Sequence, residues 1–297
     1  MVKIKATTVT VADIRSRGFV VPPAFWLPAR MTLGFRQPKK EILGMELSGD
    51  VVSIGQAVKR FKVGDQIFAA SLEGFGGYAE YKCLPEDGPV SIKPSNITYG
   101  EAAALPIGAR TALYFLRKAN IQTGQRVLVY GASGSVGSYA VQIAKYFGPN
   151  VTGVCSTSNV EMVKSLGADN VIDYTMEDFS RIDETYDIIL EAVNKTSFAD
   201  CIRLLKKNGT YINCTEPLPS FQMLGTILTS NKKIILSRNS PETPEALIFL
   251  RELVESGKLK AVIDRSYNLE DIVKAHRYVE KGHKKGNVVI NVDNNSN

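Results

Sequence analysis

The stretch from Arg126 to Gly137 constrains the fold of this chain more than any other part of the sequence. Four consecutive apolar or aromatic residues, 127–130, predict a strand that is buried on both faces, as in a parallel sheet. Glycines follow at positions 131, 134 and 137. Apolar residues then recur at helical spacing from Val136 to Phe147, and Gly148 marks the helix end. The stretch therefore predicts a strand, a glycine turn and a helix in direct succession.

The glycine turn predicts an anion-binding site. A helix that begins at such a turn points unpaired backbone N–H groups and its positive dipole end at one place, where a pyrophosphate can bind. A side chain at Gly134 would obstruct the phosphates, and one at Gly137 would separate the helix from the sheet. The alternative is an ordinary tight turn with a packing glycine, which the flanking strand and helix disfavour. The predicted cofactor-binding residues of the turn are Gly131, Ala132, Ser133, Gly134, Ser135, Val136 and Gly137.

The patterns along the chain predict two domains. Residues 1–106 show short strands joined by glycine turns and predict a β-rich domain, to which we also assign residues 241–297. Residues 107–240 alternate strands with helices, which predicts an α/β domain with a doubly wound parallel sheet. Within the β-rich domain, we expect strands at Val2 to Val11 and at the end of Gly74 to Tyr81. We expect a pocket-bordering loop between Arg15 and Phe35, which is rich in proline and aromatic residues.

Composition excludes several classes of protein. The chain has 297 residues, a net charge of +6 and four widely spaced cysteines, which we expect to be reduced. It has neither a long apolar run nor a signal-peptide layout, so we expect a cytoplasmic protein without a membrane partner. The basic segment Lys281 to Gly286 has no interleaved aromatic residues, which favours a solvated loop over a nucleic-acid contact.

The region after the glycine turn bears on the choice of dinucleotide. In doubly wound sheets, an acidic residue about twenty positions beyond the glycines holds the ribose hydroxyls and selects NAD. No Asp or Glu occurs between Ser138 and Val160, and the second strand is followed by Ser156, Thr157 and Ser158. These hydroxyls can donate to a 2′-phosphate, so the predicted cofactor is NADP (NADPH). They could also cap the next helix, and NAD remains the alternative because the turn contains no arginine.

Several motifs occur in a characteristic order: Gly44 to Gly49 (GMELSG), Gly64-Asp65, Gly76 to Tyr81 (GGYAEY) and the central glycine turn. With these motifs in this order, the chain resembles the zinc-free, quinone oxidoreductase-like branch of the medium-chain dehydrogenase/reductase superfamily. The resemblance implies a Rossmann domain, a GroES-like β-rich domain and a homodimer. It also implies an N-terminal hairpin before the first strand, which the chain is expected to lack.

The resemblance also bears on metal binding. Zinc-dependent relatives hold a catalytic zinc with a Cys, a His and a second Cys, and the motifs place these positions at Thr10, Met45 and Gly108. These three residues cannot form a zinc site, so we expect no metal. The implied reaction is hydride transfer from NADPH to a quinone or an α,β-unsaturated carbonyl compound. The alternative is a non-catalytic dinucleotide-binding protein of the same fold, acting as a sensor, a crystallin-like protein or an RNA-binding protein.

The resemblance further implies site residues. It places the nicotinamide near Thr10, Met45 and Thr111, and it places Tyr174 near the 2′-phosphate. Thr10 is the one catalytic candidate, and the alternative source of the proton is water. The candidate walls of the substrate pocket are Phe25, Trp26, Met45 and Phe75.

Overall fold

The structure is a computed structural model that describes residues 1–21, 26–35, 39–72, 74–237 and 243–293. The chain forms two compact units. The first comprises Met1–Ile107, Glu242–Gly257 and Ala261–Asn297, and the second comprises Gly108–Pro241 and Lys258–Lys260. No helix in the described ranges is long and apolar enough to cross a bilayer.

The described strands and helices are numbered in chain order. The strands are β1 (Val2–Thr8), β2 (Glu46–Val51), β3 (Gln66–Ala70), β4 (Tyr81–Lys82), β5 (Val90–Ile92), β6 (Arg126–Tyr130), β7 (Asn150–Cys155), β8 (Asn170–Asp173), β9 (Tyr186–Glu191), β10 (Leu205–Asn213), β11 (Lys233–Leu236), β12 (Ile263–Asn268) and β13 (Asn287–Asn291). The helices are α1 (Val11–Arg17), α2 (Trp26–Leu33), α3 (Tyr99–Ala103), α4 (Gly108–Lys118), α5 (Ser135–Tyr146), α6 (Val160–Ser165), α7 (Phe198–Arg203), α8 (Phe221–Thr229), α9 (Pro244–Glu255) and α10 (Ile272–Glu280).

The first unit is built on a sheet of seven described strands in the order β12-β13-β1-β2-β3-β5, with β4 paired to β1. Strand β1 pairs antiparallel with both β2 and β13, so the two ends of the chain meet in one sheet. Ile4, Leu47 and Ile67 are almost fully buried in the core of this sheet. Within β1, the burial of Val2, Ile4 and Ala6 accounts for the alternating apolar pattern of the strand.

The second unit contains a parallel sheet in the order β11-β10-β9-β6-β7-β8. Val127, Leu128 and Val129 of the central strand are fully buried, as the apolar run predicts. The predicted combination of a Rossmann sheet and a β-rich GroES-like domain is thereby confirmed. The strand order reverses between β6 and β9, and ligands of such sheets bind at this point, beyond the carboxyl ends of the strands. The glycine turn directly follows β6 and therefore lies at the reversal.

Two predictions for the N-terminal region are wrong. The first strand ends at Thr8, and α1 begins at Val11 because the Thr10 side chain and Asp13 form a capping box. Helix α2 lies within the predicted loop. Pro28 is in the first turn of α2, where a proline costs the helix no hydrogen bond. Proline content alone was therefore a poor guide to a loop in this segment.

The expected strand near Tyr81 is present as the two-residue β4, and neither α8 nor β12 was predicted. Residues before β4 bond outside a regular strand, with Gly76 N donating to Ile42 O and Gly77 N to Gly44 O. Helix α8 has apolar residues at helical spacing, but they do not face a core, since Phe221 and Leu228 are 93% and 84% exposed. Strand β12 is polar and half-exposed, so its sequence shows no alternation.

Candidate functional site

The turn after β6 is held in place by its neighbours in the second unit. Gly131 has a φ of +80°, a conformation that favours glycine. The backbone N–H groups of Gly131 and Ala132 both donate to Val154 O, at 3.1 and 3.0 Å. A Cβ atom on Gly131 would lie 2.7 Å from Cγ1 of Val193, which follows β9. The turn is therefore packed between β7 and the segment after β9, with no space for a side chain at position 131.

The next two glycines have different surroundings. A Cβ atom on Gly137 would lie 2.0 Å from Gly131 O, so close packing of α5 on the turn requires glycine there. A Cβ atom on Gly134 would meet only Gly131 O, at an ordinary 3.5 Å. Gly134 is the N-cap of α5 and makes no side-chain cap bond, and the first N–H groups of a helix have no intrahelical acceptor. A helix N-terminus with unpaired N–H groups and no side chain at its N-cap fits the pyrophosphate of a dinucleotide.

The predicted hydroxyl residues lie where β7 ends. Ser156 precedes a short 3-10 turn, Thr157–Asn159, and α6 follows it. Neither Ser156 nor Asn159 makes a side-chain cap bond to these helices. Instead, Asn159 Nδ2 donates to Ser156 Oγ at 3.0 Å. The capping role that the sequence left open for Ser156 therefore has no counterpart in this geometry.

Tyr174 lies at the same edge of the sheet. It follows β8, its N–H donates to Cys155 O at 3.1 Å, and its half-exposed ring stacks on Tyr130 with centroids 6.5 Å apart. Asp173 precedes it, and sequence reasoning did not place this carboxylate near the hydroxyls because it lies beyond the stretch that was searched for acids. The signal that would have found it is the register of adjacent parallel strands, which pairs Asp173 with Cys155.

In the first unit, a buried carboxylate holds Thr10. Asp13 is fully buried, and its Oδ2 accepts from the Thr10 N–H and hydroxyl at 2.9 and 2.6 Å. Asp13 Oδ1 accepts from Gly44 N at 3.1 Å. Burial raises the pKa of Asp13, and these hydrogen bonds oppose the rise. Asp13 thereby connects the segment that carries Thr10 to the one that carries Met45.

Met45 and Phe75 are brought together through Ser71. Met45 O accepts from Ser71 N at 2.6 Å, and Phe75 N donates to Ser71 O at 2.9 Å. Both side chains are buried, and Phe75 has a φ of +47°, which is uncommon for a bulky residue. Trp26 instead packs edge-on against Phe19 and Phe35. Phe25 lies outside the described residues.

The two remaining predicted positions lie in the second unit, on α4. Thr111 is half-buried within that helix. Gly108 is its first residue, and a Cβ atom there would lie 2.5 Å from Ser135 Oγ. The glycine therefore allows the beginning of α4 to pack against the first residue of α5, next to the phosphate turn.

Glu46 is a buried acid that sequence reasoning missed. It follows Met45, accepts hydrogen bonds from the Thr8 hydroxyl and from Ile107 N (2.7 Å), and burial raises its pKa to about 7. The positive charge of Lys284 partly opposes the rise in the pKa of Glu46. Burial lowers the pKa of Lys284 itself to about 8. Lys284 Nζ donates to Gly286 O. The expected solvated basic segment is therefore only partly solvated, because one of its lysines is directed inward.

The sequence of the chain matches two family models, one described as an alcohol dehydrogenase GroES-like domain over residues 1–94 and one as a zinc-binding dehydrogenase over residues 166–290. A chloroplast envelope quinone oxidoreductase homolog of Arabidopsis thaliana is 33% identical, over 97% of this chain and 88% of the relative. The chain belongs to the medium-chain dehydrogenase/reductase superfamily. Within the superfamily, it falls in the zinc-free quinone oxidoreductase-like branch, as predicted.

Two further comparisons place the chain within the superfamily. A 2-methylene-furan-3-one reductase of Solanum lycopersicum is 35% identical over 85% of this chain, but the chain spans only 64% of that relative's length. The structure of a quinone oxidoreductase from Coxiella burnetii superposes with a TM-score of 0.86 at 28% identity, over 98% of this chain and 90% of the other. In the described ranges, no group of three or more His, Cys, Asp or Glu side chains is arranged to hold a metal ion.

Proposed function

We propose that this protein is an NADPH-dependent oxidoreductase that reduces a quinone or an α,β-unsaturated carbonyl compound without a catalytic metal. The observation that carries the proposal is that α5 begins at Gly134, at the reversal of the sheet, with no side-chain cap and with only one atom of the described residues within contact distance of a Cβ atom on Gly134. The named reactions of the superfamily relatives, a quinone oxidoreductase and a furanone reductase, support this substrate class.

The residues at the three ligand positions support a reaction without zinc. The Thr10 hydroxyl donates to Asp13, Met45 is buried, and Gly108 has no side chain to offer. When bound, the nicotinamide supplies a hydride, and without a Lewis acid the substrate must already be electrophilic. In this proposal the glycine turn binds the cofactor phosphates, and Met45 and Phe75 are walls of the substrate pocket. Thr10 is the catalytic candidate, with water as the alternative proton source.

Steady-state oxidation of NADPH in the presence of quinones and enones tests the proposed reaction. We expect turnover with at least one class of acceptor, in proportion to enzyme concentration. Chelator treatment is expected to leave the rate unchanged, because no residue at the three ligand positions can hold zinc. NADPH binding without turnover of any acceptor would contradict the proposal and support the non-catalytic alternative.

The proposed preference for NADPH has its own test in Ser156→Asp. The new carboxylate would repel a 2′-phosphate and could accept from the ribose hydroxyls of NADH. We expect the ratio of the two dissociation constants to shift toward NADH by about tenfold, equivalent to about 1.4 kcal/mol. Isothermal titration with each cofactor measures the ratio. An unchanged ratio would show that the 2′-phosphate does not lie at Ser156.

Asn150→Asp is the matched control for this variant. It places the same charge at the opposite end of β7. The two ends of a strand of this length are separated by more than the Debye length of about 8 Å at physiological salt. We therefore expect Asn150→Asp to leave the ratio unchanged.

A further inference from the structure

The edge that carries the predicted hydroxyl row also carries a carboxylate. Asp173 is the last residue of β8, and the strand register sets it beside Cys155, one residue before Ser156. Asp173 Oδ1 accepts from the N–H and from the hydroxyl of Thr175, at 3.0 and 2.6 Å. The hydroxyls of Thr175 and Thr157 are 2.7 Å apart. A chain of hydrogen bonds therefore joins the hydroxyl row to Asp173.

The direction of these bonds follows from counting hydrogens. Each threonine hydroxyl has one hydrogen to donate. The hydrogen of Thr175 is directed to Asp173, and the hydrogen of Thr157 goes either to Asp173 or to the hydroxyl oxygen of Thr175. Hydrogen bonds from Thr157 and Thr175 hold the pKa of Asp173 below its usual value, so the carboxylate is charged at neutral pH. Neither threonine retains a hydrogen for a ligand.

Ser156 differs from the two threonines. Its Oγ accepts from Asn159 Nδ2 at 3.0 Å, which leaves its own hydrogen available to an acceptor. The sequence suggested that Ser156, Thr157 and Ser158 all donate to a phosphate. In the structure, the Ser156 hydroxyl is suited to that role, whereas the Thr157 hydroxyl is engaged by the Asp173 network. A 2′-phosphate bound at Ser156 would lie near the charge of Asp173, which is paired with the preceding residue, whereas ribose hydroxyls could donate to that carboxylate.

We propose that Asp173 is a specificity-determining residue that limits the preference for NADPH, so that the protein also binds NADH with useful affinity. This inference rests on the proposed dinucleotide-binding function. Ser156 favours the 2′-phosphate, and Asp173 opposes it by repulsion and by withdrawing the Thr157 hydroxyl. The absence of Asp and Glu between Ser138 and Val160 therefore overstates the preference of the site for NADPH over NADH.

The test is Asp173→Asn, with dissociation constants for NADPH and NADH measured by isothermal titration. The amide oxygen can still accept from Thr175, while the charge is removed. We expect NADPH to bind about three- to tenfold more tightly, in the range of an exposed charge interaction, and NADH to bind equally or slightly more weakly. Asp173→Ser, which also removes the charge, should change the ratio in the same direction.

Asp183→Asn is the matched control, because Asp183 is an exposed acid of the same unit and its replacement changes the net charge equally. It should leave both constants unchanged. A ratio that stays at the wild-type value in both Asp173 variants would overturn the inference. Absence of any dinucleotide binding by the wild-type chain would instead refute the proposed function, whatever the Asp173 variants do.

Discussion

Gly137→Ala is expected to abolish measurable dinucleotide binding and to lower the thermal unfolding temperature. The added Cβ atom would lie 2.0 Å from Gly131 O and 2.8 Å from Gly131 C, and both contacts are with backbone that cannot rotate away. Helix α5 must then move off the turn, which displaces the N–H groups proposed to hold the phosphates. Overpacking of this severity costs about 3 kcal/mol or more. Thermal unfolding and cofactor titration on the same sample measure both effects.

Gly134→Ala is the matched variant that separates folding from binding. Its Cβ atom would make only an ordinary 3.5 Å contact, so the unfolding temperature should stay near that of the parent chain. The methyl group would project into the space proposed for the pyrophosphate, and we expect NADPH affinity to fall at least tenfold, or about 1.4 kcal/mol. Unaltered affinity in this folded variant would place the phosphates elsewhere.

The second large effect is a dependence of stability on pH that originates at Glu46. Burial raises the pKa of this acid from 4.5 in the unfolded chain to about 7. The folded state therefore holds the Glu46 proton more tightly than the unfolded state does. The stability that this proton contributes is lost as the pH rises from 4.5 to 7. Between pH 5 and pH 7, the wild-type chain should lose about 2 kcal/mol of unfolding free energy relative to Glu46→Gln, which cannot titrate.

Denaturant unfolding of both proteins at pH 5 and pH 7 measures this difference. Asp13, whose pKa is also raised, titrates in both proteins, so most of its contribution cancels. Burial lowers the pKa of Lys284 from 10.5 to about 8. The titration of this lysine therefore changes the stability mainly above pH 8, outside the range from pH 5 to pH 7. Parallel pH dependences for the wild-type chain and Glu46→Gln would show that Glu46 does not titrate in this range.

Much of the second unit could be predicted from the sequence because its signals are local. The apolar run of β6, the glycine spacing and the helical period of α5 lie within about twenty consecutive residues, and each specifies one element. The order of strands and helices then limits the sheet to a few topologies. The predicted phosphate turn therefore follows from residues that are neighbours along the chain.

The features that were missed depend on residues distant in sequence. Asp173 reaches Thr157 only through the register of β7 and β8, and the burial of Glu46 depends on Thr8 of β1 and on Ile107. Neither the proximity of Asp173 to Thr157 nor the burial of Glu46 produces a recognisable pattern among residues that are neighbours in the sequence. The error at Val11 is different, because the capping box of Thr10 and Asp13 was present in the sequence and outweighed the β-branched residues that suggested a longer strand.

The pairing of β1 with β13 has a consequence for the order of folding. Thr8 lies opposite Val289, so the sheet of the first unit closes only after residue 289 has been synthesised. The sheet of the second unit uses strands from 126 to 236, which leave the ribosome earlier and without interruption. Contacts between distant residues form slowly because a long loop must be closed first. During translation, the dinucleotide-binding unit can therefore mature while β1 still has an unpaired edge, which is open to mispairing until β13 is made.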